Sequence, residues 1–168
     1  MSDRRFALSL VSGAIGLVFL SAAFPAGAEE RVAQLNKVDG NVSITRSADG
    51  KAEEAKMAGP RVRNGSVFGG DVVSTGPGST ATMLFGDGSQ VDLKEKTSLT
   101  VQEIDLTKLA KGGKRDKPIG RKVRVLAGSV WTNVVPNAQV ATEFETPSGV
   151  AAVKGTTFTI TVEEEVKP

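Results

Sequence analysis

Glu143 and Glu145 stand two residues apart and would share one face of a strand, an arrangement in which paired carboxylates could cleave a glycosidic bond. Glycosidase carboxylates are held at a set separation across a cleft, usually by different elements, so two adjacent acids on one strand read as a solvent face. Asp87, Ser89 and Asp92 offer oxygen ligands for calcium. Calcium takes roughly six to eight oxygens and the EF-hand spacing is missing, so Asp87-Gly88 reads as a hairpin turn instead. Lys154-Gly155-Thr156-Thr157-Phe158 carries the glycine and hydroxyl of a phosphate loop. Such a loop needs a longer glycine run entering a helix, whereas this one enters a strand; Gly155 therefore reads as a point of close backbone approach. Lys154 is expected to pair with an acid or a backbone carbonyl.

What is missing narrows the chemistry further. The 168 residues contain no Cys, no His and no Tyr. That removes disulfides, thiol nucleophiles, thiolate metal sites, a lipoprotein anchor, the commonest general base and the Ser-His-Asp triad. Only carboxylates and lysines remain for acid–base or nucleophilic work, and none forms a convincing pair. The expectation is a non-enzymatic protein without metal or cofactor.

Two features could bind rather than react. Lys108 to Arg124 holds eight bases and one acid, with Gly112, Gly113, Pro118 and Gly120 marking an extended loop. Lys111, Lys114, Arg115, Lys117, Arg121 and Lys122 in it could meet anionic headgroups, cell-wall polymer or an acidic partner; the bland alternative is a solvated loop that protects a sheet edge. Trp131, the only tryptophan, is most simply a core residue with its N–H on backbone, and alternatively a platform that stacks on a sugar ring. Nucleic acid is not expected, because no aromatic interleaves the bases.

The chain opens with Arg4-Arg5, an apolar run from Phe6 to Phe24, and Pro25-Ala26-Gly27-Ala28. This pattern predicts a secretory signal over residues 1–28 with Ala26 and Ala28 at the cleavage site, leaving no stable membrane span. The segment's two arginines and one aspartate carry one positive charge net, so the remainder is close to neutral and its global charge implies no polyanion. Export with no cysteine suits a bacterial periplasm.

The rest reads as short strands. Val38, Val42 and Ile44 alternate with polar residues, and Gly40 breaks the rhythm as a bulge or close approach would. Ala81, Met83 and Phe85 share a face, and Val91 and Leu93 resume after Gly86-Asp87-Gly88-Ser89. Leu99 and Val101 follow, then Val123 and Val125, then Val130, Thr132 and Val134. Last come Phe158, Ile160 and Val162 facing inward, with Thr157, Thr159 and Thr161 outward. Leu99 to Lys111 reads as strand into loop. With no helix able to cover a sheet, the expectation is an all-β domain of short antiparallel strands, packed as a two-sheet sandwich or an open solenoid-like roll. It is placed at 38–162, after a mature N-terminal segment 29–37 and before an acidic tail 163–168.

The order of motifs resembles the FecR domain. Gly40-x-Val42, GGDVVSTG at 69–76, STATMLFGDGSQVDL at 79–93, LAGSV at 126–130 and TPSGVAAVKGTTFTI at 146–160 follow the family's sequence of turns. Lys154 stands where the family usually has Arg, which keeps the charge and loses the planar fork. Gly40, Gly70, Asp71, Thr75, Gly76, Asp87, Gly88, Ser89, Gly128, Lys154, Gly155, Thr156 and Phe158 carry the resemblance and are read as structural. The resemblance implies a periplasmic domain that works by contacting other proteins. In the family's iron-uptake regulators it is joined through a membrane helix to a cytoplasmic anti-sigma segment. Only Met1 to Arg5 precede the apolar run here, so the expectation is a free-standing exported module that binds an envelope or periplasmic protein, possible roles in signalling included; the alternative is a protein that binds cell-wall polymer.

Overall fold

A computed structural model describes residues 30–105 and 119–163, with Asp105 described by its backbone alone. The expected signal with Ala26 and Ala28, the basic residues Lys111, Lys114, Arg115 and Lys117, and most of the acidic tail lie outside these residues. Thirteen strands make up the described chain: β1 (Arg31–Asp39), β2 (Val42–Thr45), β3 (Ala52–Ala58), β4 (Arg61–Arg63), β5 (Ser66–Phe68), β6 (Val72–Thr75), β7 (Thr80–Phe85), β8 (Gln90–Leu93), β9 (Ser98–Asp105), β10 (Ile119–Asn133), β11 (Val140–Thr146), β12 (Gly149–Val153) and β13 (Thr157–Val162). There is no helix among the described residues. The fold is all-β, as the period-two pattern requires.

The strands form one hydrogen-bonded path, β4-β3-β2-β6-β9-β10-β8-β7-β1-β5, with β11 and β13 branching from β10 and β12 from β11. The sheet curls into an open half-barrel rather than a clear two-sheet sandwich. The long strand β10 explains the curl. Its first half pairs with β9 and its second half with β8 and β13. If straight, β10 would run about 45 Å from end to end. Yet β11 lies parallel to its first half, with Ile119 opposite Val140 and Arg124 opposite Glu145. Residues 134–139 reach at most about 25 Å, so β10 must bend back on itself.

The bend sits where the ladder to β9 slips, between Val125 and Ala127, next to Gly128 with φ of 85°. The bulge also switches which side chains point inward. Val123 and Val125 are buried before it, Val130 and Thr132 after it. One extra residue thus lets a single strand feed the interior from both arms of a corner.

The core is the expected set of alternating residues, with Leu35, Ile44, Met83, Leu93, Leu99 and Phe144 fully enclosed. Phe158, Ile160 and Val162 pack against it but stay partly exposed. Phe158 meets Phe144 edge-on, ring centroids 5.0 Å apart.

Three expectations need correction. The domain begins at Arg31, not Val38: Val32, Ala33 and Leu35 are already buried in β1, which lies between β5 and β7. The pairing is not wholly antiparallel, because β11 runs parallel to β10. The basic stretch does not stay a loop to Arg124, since β10 starts at Ile119 and pairs with β9 and β11 at once.

Candidate functional site

Asp71, Thr75, Asp87, Ser89 and Arg121, singled out in the sequence, fall into three buried clusters. Each fixes a turn. The first surrounds Asp71, which has no exposed surface. Its carboxylate accepts from the Arg46 guanidinium at 2.8 Å and from the backbone N–H of Ser47 and Phe68, both at 3.0 Å. Arg46 also donates to the Ser66 carbonyl and to Glu53, and lies 5.3 Å from the Phe68 ring centroid. Burial pushes the Arg46 pKa down, but the bonds to Glu53 and Asp71 leave it above its ordinary value. Gly70, at φ of 89°, makes the turn before Asp71, and its N–H reaches the Val101 carbonyl.

The second cluster corrects the reading of Arg121. Its side chain is 3% exposed and lies on the inner face of β10, so it is not part of a solvent-facing basic surface. It donates to Asp87 at 2.9 Å and to Glu103 at 2.8 Å, with its guanidinium carbon 3.9 Å from the Phe85 ring centroid. Burial opposes charge on Asp87, yet Arg121 together with the N–H and hydroxyl of Ser89 holds its carboxyl below the ordinary value. The Ser89 hydroxyl also accepts from the Val135 N–H, and Gly88 turns at φ of 84°. The oxygens considered for calcium are thus the acceptors of a hairpin and an arginine; the Asp92 carboxylate takes the Gln90 amide.

The third cluster closes the corner of β10. The Thr75 hydroxyl donates to the Lys94 carbonyl and accepts from the Thr97 N–H at 3.0 Å. The Thr97 hydroxyl is bonded to both the N–H and the carbonyl of Ser129. Gly128 lies so close that a Cβ there would stand 2.5 Å from the Lys96 carbonyl and Thr97 Cα. Gly76 donates to the Asn41 carbonyl across the neighbouring turn.

Gly40 and Gly155 are close-approach points, as expected. Each has positive φ, and a Cβ would collide with Ser79 or Pro136 respectively. The Thr156 carbonyl accepts from Val134, and Phe158 supports the core. Lys154 differs from expectation: it is exposed and has no acid or carbonyl partner among the described residues. Trp131 is not a core residue either. The strand's alternation puts it on the outer face, half-buried, opposite Asp92 of β8 and Thr159 of β13.

Glu143 and Glu145 form no acidic pair. Glu145 bonds Arg124 at 3.0 Å and lies 3.6 Å from Lys122; the Arg124 bond is the main reason its carboxyl sits below the ordinary value. Lys122 is therefore engaged on the sheet rather than displayed on a loop. Arg46 and Glu103, which complete the first two clusters, lie 25 and 18 residues from their partners, and no local spacing marks them.

What stays open is sheet edge. β12 pairs only with β11 among the described strands, and β13 only with β10. β12 is Gly149-Val150-Ala151-Ala152-Val153, uncharged, with Val150 66% exposed. β13 is Thr157-Phe158-Thr159-Ile160-Thr161-Val162, also uncharged. Strand edges without charge are ready acceptors for another strand.

No curated protein and no solved structure matches the chain. The family model described as FecR protein matches residues 71–167, which takes in the buried Asp71, the Asp87 hairpin, the β10 corner and the edge strands β12 and β13, and leaves Gly40 and the edge strands β4 and β5 outside. With more than half of its length matched, the chain belongs to the FecR protein family.

Proposed function

We propose that the chain is a non-enzymatic, exported module that binds a protein partner in the bacterial periplasm or envelope and serves in signalling. The observation that carries this reading is β12. Most other charged clusters of the fold are spent internally, on Asp71, on Arg121 and on Glu145. At β12 the fold instead leaves an uncharged edge that carries Val150, the large hydrophobic side chain with the highest fractional exposure among the described residues. A partner segment adding as a strand there would gain main-chain hydrogen bonds and cover Val150. Family membership supports a role in signalling. The apolar run and Ala-x-Ala of the first 28 residues support export.

In-cell crosslinking of a tagged copy, followed by fractionation and mass spectrometry, tests this. Reproducible capture of one envelope or periplasmic protein is expected. Capture of cell-wall fragments and no protein would overturn it.

The outer-face position of Trp131 favours a second reading, binding of envelope polymer. The indole is flanked by Asp92 and Thr159, polar groups around one aromatic platform, as sugar recognition uses. Quenching of Trp131 fluorescence by soluble muropeptides would support it; no quenching at millimolar concentration would remove it.

A further inference from the structure

We infer that the tip of the β3–β4 hairpin docks the protein onto a membrane of anionic phospholipid, through Lys56, Arg61 and Arg63 beside an apolar turn. This goes beyond the partner site proposed on β12, which lies at the other end of the strand order, and does not depend on it.

The hairpin runs on past its neighbour in the sheet. β3 pairs with β2 only from Ala52 to Ala55, and Lys56, Met57 and Ala58 continue with β4 alone. β4 ends the hydrogen-bonded path. Ala58, Gly59 and Pro60 form an exposed turn between the two strands, with Gly59 at φ of 63°.

The placement of charge sets this tip apart. Lys56 stands directly opposite Arg63, and Arg61 falls on the same face two residues along. Like charges directly opposite each other destabilise a strand pair. Elsewhere the registers bring opposite charges together: Arg121 faces Glu103, Lys122 faces Glu143 and Arg124 faces Glu145. Lys56 and Arg63 are the one like-charged pair among the described registers. Glu54 bonds Lys56 at 2.8 Å, but both side chains are exposed and a surface pair of this kind contributes little. Arg61 and Arg63 are exposed and have no acid partner among the described residues.

Other exposed cations lack this arrangement. Lys37 faces Thr82, Glu95 separates Lys94 from Lys96, and Lys154 stands outside the strand registers. An anion laid across Lys56, Arg63 and Arg61 relieves their repulsion, and the two guanidinium forks match phosphate oxygens.

The apolar part of the tip selects lipid over a soluble phosphate. Met57 alternates onto the opposite face with Ala55 and Val62. Those two are buried, whereas Met57 is 45% exposed. The tip therefore holds a long apolar side chain and Pro60 in water, with cations just behind them. A free phosphate ion makes no use of that surface. A bilayer does: the turn and Met57 enter the headgroup boundary while the long basic side chains reach back to the phosphates.

Co-sedimentation tests the inference, using soluble protein produced from the full sequence. The vesicles are phosphatidylcholine alone, or phosphatidylcholine mixed with phosphatidylglycerol. Binding to the mixed vesicles only is expected, and it falls as salt rises. Arg61→Glu with Arg63→Glu is expected to weaken it about 25-fold or more, at about fivefold for each cation lost. Lys94→Glu with Lys154→Glu makes the same change in net charge and is expected to weaken it less than about threefold. Arg63→Glu alone sets an acid opposite Lys56, so the thermal midpoint is expected to hold or rise while binding falls. That combination separates lost docking from lost fold. Met57→Ser is expected to weaken binding several-fold at every salt concentration.

No binding to the mixed vesicles at low salt would overturn the inference, and so would equal binding to both kinds. Equal loss in the two double variants would reduce it to a general charge effect and overturn it as well. Release by inorganic phosphate, at an ionic strength where chloride releases little, would assign the cations to soluble phosphate and overturn the lipid assignment.

Discussion

Arg121 and Asp87 stand 34 residues apart in the chain and 2.9 Å apart in the fold, joining the first arm of β10 to the β7–β8 hairpin. The pair is 3% and 6% exposed, so neither charge can turn to water if the other is removed. Arg121→Met is expected to cost about 3–5 kcal/mol, because Asp87 and Glu103 are left charged and enclosed. Replacing all three, Arg121→Met with Asp87→Asn and Glu103→Gln, is expected to recover most of that loss. Urea unfolding midpoints of the two variants check it. A triple variant less stable than the single one would contradict the assignment.

The same pair sets a pH dependence. The folded Asp87 carboxyl lies below its ordinary value, so its contribution to stability is complete above the unfolded pKa, about 3.9. That contribution is lost as the pH falls from there through the lower folded value. Stability of the native chain is therefore expected to decline as the pH drops below about 4, and Asp87→Asn to flatten that part of the curve. Equal slopes in the two proteins would count against it.

Gly128 and Gly50 separate backbone strain from crowding. Both have positive φ, 85° and 70°, but a Cβ at Gly50 meets nothing within 4 Å while one at Gly128 meets Lys96 and Thr97 backbone. Gly50→Ala is expected to cost about 1 kcal/mol and Gly128→Ala about 2–5 kcal/mol, since the second adds overpacking to strain. Thermal melts of both variants give the comparison.

Much of the fold can be read from residue alternation, including the corner of β10. Val123 and Val125 are odd-numbered while Val130, Thr132 and Val134 are even, and a bulge is the way one strand changes parity. The glycines at 40, 128 and 155 stand where the backbone approaches a neighbour. The polar clusters are another matter. Arg121 sits in a run of bases, where composition points to solvent; only its parity with Val123 and Val125 hints that it faces inward. Arg46 meets Asp71 across three intervening strands, which no local spacing records. The start of β1 is obscured because Val32 and Ala33 are consecutive and both buried, which breaks a simple alternation. The parallel β10–β11 pair depends on the bend, and so on long-range geometry.

Thr132 offers a stabilising change. Its hydroxyl is fully buried on the inner face of β10 and has no hydrogen-bond partner. Thr132→Val keeps the shape and removes the orphaned group, so a gain of about 1 kcal/mol is expected in unfolding experiments. A loss would mean the hydroxyl is bonded in solution.

The proposal that β12 is the partner edge is tested most directly by a photoreactive residue at Val150 in the living cell, with Lys37 on β1 as an exposed control. The expected result is one protein adduct from position 150, none from position 37, and loss of the adduct when Ala152→Lys places a charge on the same edge. An adduct pattern that is equal at the two positions, or unchanged by Ala152→Lys, would contradict it.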